Sequence, residues 1–393
     1  MSVKNNFKHT VLASYGGYIT QAVVNNFLPL LFLIFQEQFG IRLEQITLLV
    51  TVNFAVQLLV DLLSAKFIDR IGYRRAIVAA HIFAAAGLSG LAFLPFILPP
   101  FAGLAACVVL YAIGGGLTEV LISPIVEACP NENKAGAMGL LHSFYCWGSV
   151  GAVLISTLFL QVFGKESWQI LAVIWAVLPL LNAVYFTQVP INTLTEDGES
   201  MTIAELCRSR LFWVLVLLMF CAGGSELAMS QWASAFAESA LGVPKTVGDL
   251  LGPCFFAVLM GISRVLYAKL SAKIRLLPVI IGCCALCILS YIIAAFAPLP
   301  ILSLMGCGLC GFSVGVLWPG TFSLAAEKSP KGGTAMFALL ALAGDLGCSS
   351  GPTVVGFASG ALGGLNKGLP FAMIFPAAMI IAAIACRRMT RKS

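Results

Sequence analysis

The sequence predicts an all-α membrane protein: twelve transmembrane helices in two pseudo-symmetric six-helix bundles. Three observations carry that prediction. Of 393 residues, 60% are hydrophobic and 10% charged, with a mean hydropathy of +0.97, whereas a soluble domain carries about 25% charged residues. So few polar side chains do not cover a water-facing surface, and the surface must meet lipid. The apolar runs are long and continuous rather than alternating, and a bilayer-spanning helix needs roughly 20 such residues. Backbone in lipid must satisfy its own hydrogen bonds, which leaves helices or closed barrels, and continuous runs select helices. Finally, one long polar interruption, 190–209 (PINTLTEDGESMTIAELCRS), leaves six apolar runs on either side.

In order, the spans are expected near 10–36, 44–66, 76–98, 101–126, 136–163 and 167–189, then 210–237, 247–268, 276–297, 299–325, 334–361 and 367–386. This gives an N-terminal bundle over 1–190, a linker over 191–209 and a C-terminal bundle with a basic tail over 210–393. The linker carries Glu196, Asp197, Glu199 and Glu205, with a short amphipathic stretch from Met201. The first apolar run is too long for a signal peptide and leads straight into others.

Basic residues set the orientation. Arg42, Lys165, Lys245 and Lys367 fall in one set of connections and Arg264 falls within a span. All other Lys and Arg, from Lys4 to Lys392, fall in the alternate connections and the termini. Both termini are therefore expected in the cytoplasm, in an inner (plasma) membrane, with the net charge of +6 serving as inner-leaflet anchoring and not as a nucleic-acid footprint. The 13 cysteines lie almost entirely within spans, and Cys283, Cys284, Cys287, Cys307 and Cys310 have no histidine nearby in sequence. They read as small packing residues, with neither a disulfide frame nor a metal site.

Four acids lie well inside spans: Asp61, Glu119, Glu226 and Asp345. A charge at mid-membrane costs at least about 2.5–3.5 kcal/mol, so each needs a partner, water or a proton. A carboxyl withdrawn from water holds its proton more tightly, which suits reversible proton exchange near neutral pH. Polar side chains recur at helical spacing around these acids: Ser14, Tyr18, Gln21 and Asn25 in span one, and Asn53, Gln57, Asp61 and Ser64 in span two. Glu119, Ser123 and Glu127 share a face of span four, His142, Tyr145 and Ser149 one of span five, and Asp345, Ser349 and Thr353 one of span eleven. Such stripes on apolar helices imply a central polar cavity. Glycines at 114–116, in span ten and at Gly347 and Gly351 let helices approach closely, and Pro352 loosens the backbone ladder.

Internal similarity supports duplication. DLLSAK at 61–66 answers RVLYAK at 264–269, and AGAM at 135–138 answers GTAM at 333–336, at similar offsets. The loop after span two, AKFIDRIGYRRA, resembles the signature of the major facilitator superfamily through Asp69, Arg70, Gly72, Arg74 and Arg75, with Ala65 where the first glycine is usual. That resemblance implies a cytoplasmic gate, in which the acid meets the positive end of a helix while arginines hold carboxylates.

Three further stretches resemble the fucose–proton symporter branch of that superfamily. GGGLTEVLISPIVE carries Glu119 and Pro124 at the branch's spacing, with Ser123 in place of an asparagine. GLLHSFYCWG places His142, Tyr145 and Gly148 as the branch does. GGSELAMSQW places Glu226 and Trp232 similarly, and Arg264 in GISRVL resembles a Gly-Arg pair in span eight with Ser263 for the glycine. The branch also has an aspartate in span one. Here that span has no acid but keeps Asn25-Asn26, so a two-carboxylate scheme does not transfer unchanged.

The resulting expectation is a monomeric secondary carrier, without cofactor or metal. It moves a small polar organic solute, a sugar or sugar-like metabolite, by proton symport through alternating access. Glu119, Glu226, Asp345 and Asp61 are the candidate proton-coupling residues. Gln21, Asn25, Asn53, Gln57, His142, Tyr145, Trp232 and Trp318 are the candidate substrate contacts, the tryptophans either stacking a ring or filling space. Asp69, Arg70, Arg74, Arg75 and Arg264 are gate candidates, with Asp61 and Arg264 at equivalent places in the two halves. Each acid has a structural alternative as a packing or folding partner, and His81 reads as a satisfied interior histidine. Proton-driven export of amphipathic compounds is the nearest rival, although Gly-x-x-x-Gly-Pro occurs in span eleven and not in span five. A non-transporting nutrient sensor is a rival of another class. A membrane enzyme would need a nucleophile or metal set near an interface, and no HExxH or Cys–His cluster of that kind occurs.

Overall fold

A computed structural model of the chain describes residues 6–41, 43–194, 200–233, 235–237, 242 and 250–390. Lys4, Arg42, Glu196, Asp197, Glu199, Lys245, Arg391 and Lys392 lie outside the described residues, as do positions 247–249 of the expected eighth span. Among the described residues the protein is helical throughout, with no strand.

The spans are α1 (Phe7–Leu30), α2 (Leu43–Ile71), α3 (Tyr73–Gly90), α4 (Pro100–Ala128), α5 (Lys134–Phe163) and α6 (Trp168–Gln188). They continue as α7 (Arg210–Ser230), α8 (Phe255–Leu270), α9 (Leu276–Phe296), α10 (Pro300–Val314), α11 (Gly333–Leu362) and α12 (Ile374–Thr390). Among the described residues ten helical segments, which contain the other spans, are long and apolar enough to cross a membrane, and α1 and α3 complete the twelve. Large apolar side chains stand out on the surface, Leu181 at 67% exposure and Phe357 at 78%, as a lipid-facing surface allows and water does not.

Helix ends follow local chemistry. The Asn6 side chain accepts from Lys8 N at 3.0 Å at the start of α1, and Pro100 and Pro300 open α4 and α10, where a missing N–H is harmless.

Three expectations about the elements are corrected. Span one is not continuous to 36: α1 ends after Pro29, and a separate helix follows at Phe32–Phe39, because proline removes a ladder hydrogen bond. Span three stops at Gly90 instead of 98, followed by the single turn Leu94–Ile97. Span ten breaks after Val314 and resumes at Leu317–Lys328. The segment AKFIDRIGYRRA is also not a loop. Helix α2 runs through Asp69 and Arg70 to Ile71, and α3 begins at Tyr73. Gly72 alone separates them, at φ +87°, a conformation that favours glycine. The amphipathic stretch after Met201 is the helix Ile203–Arg208, closed by a capping box between Thr202 and Glu205.

The chain divides into two compact units, residues 1–130 with 147–198, and residues 131–146 with 199–393. Within the first, α4 is central: α1, α2 and α3 pack on it, and α6 packs on α3 and α1. One end of this unit is an aromatic core of Phe27, Phe35, Tyr111 and Trp168. There the Phe35 and Trp168 rings meet edge to face at 5.2 Å, and Trp168 Nε1 donates to Gln38 Oε1 at 2.9 Å. Within the second unit, α7 packs on α11 and α12, α10 on α8 and α9, and α12 on α9. The α7–α11 contact is made by glycines: a Cβ on Gly347 would meet the Phe220 carbonyl, and one on Gly351 the Gly224 carbonyl. Backbones approach this closely only where side chains are absent.

Candidate functional site

In the first unit the polar stripes of α1, α2 and α4 bond to one another. Gln21 Nε2 donates to Glu119 Oε2 at 2.5 Å, the Tyr18 hydroxyl lies 3.0 Å from Ser123 Oγ, and Gln57 Nε2 donates to Asn25 Oδ1 at 3.2 Å. The pairing follows from helical spacing, since Tyr18 and Gln21 on α1 match Ser123 and Glu119 on α4. The glycine triplet before Glu119 lets α2 approach α4 closely. A Cβ on Gly115 would come within 3.2 Å of Gln57 Nε2, and one on Gly116 within 3.1 Å of Val60. Ser14, the fourth member of the α1 stripe, bonds instead to its own helix at Thr10 O.

The amide orientation of Gln21 is set by its partner. An ionised carboxylate only accepts, so Gln21 must present Nε2 to it. That leaves Gln21 Oε1 buried without a hydrogen-bond partner among the described residues, and Asn53 Oδ1, on α2, is in the same condition. Asp61 is fully buried further along α2. Asn26 Nδ2 donates to Ser149 Oγ at 3.2 Å.

In the second unit, Arg264 on α8 is 3% exposed and organises the site. Its Nε donates to Gly315 O at 2.9 Å, at the break in span ten. Nη1 donates to His142 O at 2.9 Å and reaches Cys146 Sγ at 3.0 Å, and Nη2 lies 3.4 Å from Glu226 Oε2 on α7. Two predicted residues, Glu226 and Arg264, thus form a direct pair. His142 is also buried, its ring 6.0 Å from that of Phe322. Tyr145 and Asp345 are half-buried on α5 and α11.

The two tryptophans have packing partners. Trp318 lies over Gly344, whose missing side chain accommodates the indole, and meets Phe322 edge to face at 6.3 Å. Trp232 donates Nε1 to Pro352 O at 2.9 Å, with its ring against Gly356.

At the α2–α3 junction Asp69, Arg70 and Arg75 are exposed. A gate arginine is expected to hold a carboxylate, but among the described residues Arg74 meets backbone carbonyls instead. It donates to Phe186 O at 2.7 Å, Thr187 O at 3.0 Å and Val189 O at 2.8 Å. The end of α6 leaves carbonyls without helical partners and carries partial negative charge, and a guanidinium suits both.

His81 is the interior histidine expected. Its Nδ1 lies 2.8 Å from Ile77 O and its Nε2 2.9 Å from Asn182 Nδ2. Asn182 also donates to Ala13 O at 3.0 Å, so Nε2 accepts, Nδ1 carries the proton and the ring is neutral. Asn182 was not singled out from the sequence. Its signal there is that it is the lone amide in the middle of an apolar span. Cys146 and the Gly315 carbonyl, as partners of Arg264, left no sequence signal at all.

Twelve helical spans with carboxylates, amides and an arginine held among them describe a multi-pass membrane protein. The chain belongs to the Major Facilitator Superfamily, whose sequence profile matches residues 13–352. No curated sequence matches it. The fold is similar to that of the E. coli fucose:proton symporter, with a TM-score of 0.82 at 18% identity over 96% of this chain and 98% of that one. A proton:xylose symporter, solved with 6-bromo-6-deoxy-D-glucose bound, gives 0.80 at 14% identity over 96% and 94%. The human organic anion transporter MFSD10 gives 0.73 at 14% over 97% and 100%.

Proposed function

We propose that this protein is a proton-driven symporter of a small polar solute, a sugar or sugar-like metabolite, working by alternating access. The observation that carries the reading is the Gln21–Glu119 bond. One amide joins a carboxylate inside a span to a buried acceptor oxygen, Gln21 Oε1, that lacks a partner among the described residues. An unsatisfied buried acceptor costs about 1–3 kcal/mol, and solute hydroxyl groups donate to such oxygens. Asn53 Oδ1 offers a second acceptor of the same kind. The fold shared with two sugar:proton symporters supports the same solute class.

In this reading Glu119 takes the proton, with Glu226, Asp345 and Asp61 as further coupling acids. Gln21, Asn25, Asn53, Gln57, His142, Tyr145, Trp232 and Trp318 contact the solute. Arg264 and the 69–75 junction are gate elements of two six-helix bundles joined by the 191–209 linker. The protein acts as a monomer in the inner (plasma) membrane with both termini cytoplasmic. The test is uptake of a sugar panel, beginning with L-fucose and D-xylose, into proteoliposomes under an inward proton gradient. Wild type accumulates a sugar, whereas Glu119→Gln exchanges it without accumulating it. Full gradient-driven accumulation by Glu119→Gln would refute the assignment.

A further inference from the structure

The geometry points to Gln21 as a polarity relay, which turns the protonation of Glu119 into an exchange of donor for acceptor at the far end of its amide. The inference rests on the reading of Glu119 as the proton site and adds how that proton is sensed by the solute.

Gln21 is 2% exposed, and its amide has two ends with opposite hydrogen-bonding character. With Glu119 ionised, Nε2 is committed to the carboxylate at 2.5 Å and Oε1, an acceptor, faces the other way without a partner among the described residues. When Glu119 takes a proton at Oε2, that oxygen becomes a hydroxyl donor and no longer matches an N–H. Rotation of the terminal amide by half a turn, a soft two-fold torsion, lets Oε1 accept from the new hydroxyl. The NH2 group then stands where Oε1 stood. The position beyond Gln21 thus offers an acceptor before protonation and a donor after it, so a solute hydroxyl bound there is held differently in the two states. No covalent bond changes, and the only species added is the proton.

Other groups on the helices packed against α4 do not substitute for Glu119. Tyr18 on α1 is engaged with Ser123, and His81 on α3 is committed to Ile77 and Asn182. Asp61 on α2 and Glu127 on α4 itself are the other nearby acids, and Asp61 is included in the test as a control.

The test needs no identified solute. Infrared difference spectra of the purified full-length protein are recorded between alkaline and acidic pH, with glutamine labelled with 13C at the side-chain carbonyl. In wild type, acidification produces a protonated-carboxyl band together with a shift of one labelled amide band. Both are lost in Glu119→Gln, the amide shift is lost in Gln21→Met and in Gln21→Leu, and both persist in Asp61→Asn. A carboxyl band assigned to Glu119 without any amide shift means that the proton sits on the oxygen facing away from Gln21, which overturns the relay and leaves Glu119 as the proton site. No Glu119 carboxyl band at all removes the proton-site reading itself. A shift that persists in both Gln21 variants belongs to another glutamine and likewise overturns the proposal.

Discussion

Arg264 Nη2 lies 3.4 Å from Glu226 Oε2, while the remaining guanidinium nitrogens are spent on the Gly315 and His142 carbonyls and the Cys146 sulfur. One side chain from α8 thus meets α5, α7 and the break in span ten. The planar fork of arginine serves these directions at once, which the single point charge of lysine does not.

Removing Arg264 leaves the Glu226 carboxylate without this partner and two carbonyls without these donors. Arg264→Met is expected to destabilise the protein by about 3–5 kcal/mol. Adding Glu226→Gln should recover part of that loss, because the uncompensated charge goes with it. Thermal unfolding of the two single variants and the double variant in detergent measures the coupling. Strict additivity would show that the pair does not act as a unit.

The α7–α11 contact predicts a contrast between glycines. Gly347→Ala places a methyl group against the Phe220 carbonyl and should cost about 1–3 kcal/mol through overpacking. On α9, Gly282 has nothing within 4 Å of its Cβ position, so Gly282→Ala should be neutral or stabilising by up to about 1 kcal/mol. Unfolding midpoints of the two variants decide the matter.

Asn182 supplies both donors to a buried acceptor pair, His81 Nε2 and Ala13 O. Asn182→Leu strands them and should lower stability by about 1–3 kcal/mol. If the histidine is only structural, gradient-driven transport per folded molecule stays at the wild-type level, measured as uptake normalised to folded protein.

The short helix after the linker is pH-sensitive in a defined direction. The Glu205 carboxylate accepts from Thr202 N at 2.8 Å and Thr202 Oγ1 at 2.9 Å. The Thr202 backbone and hydroxyl bonds hold its carboxyl below its ordinary range. A depressed carboxylate stabilises the fold above the unfolded pKa and loses that contribution as pH falls through the lower folded value. Amide protection over 203–208, taken relative to the intrinsic exchange rate at each pH, should therefore be high at neutral pH and fall on acidification. In Glu205→Ala that protection should be low throughout and flat with pH.

The span count was legible because apolar length and the positions of basic residues are set by the bilayer and not by packing. The junction at 69–75 was misread for a local reason: polar residues signal a loop, yet a helix emerging from lipid carries charges on its last turn, and only the backbone angle of Gly72 marks the break. The site was partly legible. Spacing put Tyr18, Gln21 and Asn25 on one face, but their partners lie on helices distant in sequence, and Arg74 found carbonyls where a carboxylate was expected.

By itself the sequence determined that twelve apolar spans form and which of them bear charge, since these follow from the cost of exposing backbone and ions to hydrocarbon. Tertiary structure alone decided that Glu119 meets Gln21, that Glu226 meets Arg264 and that His81 is silenced by Asn182. Hydrogen bonds and ion pairs act over a few ångströms, and which groups come that close is settled by how the helices pack.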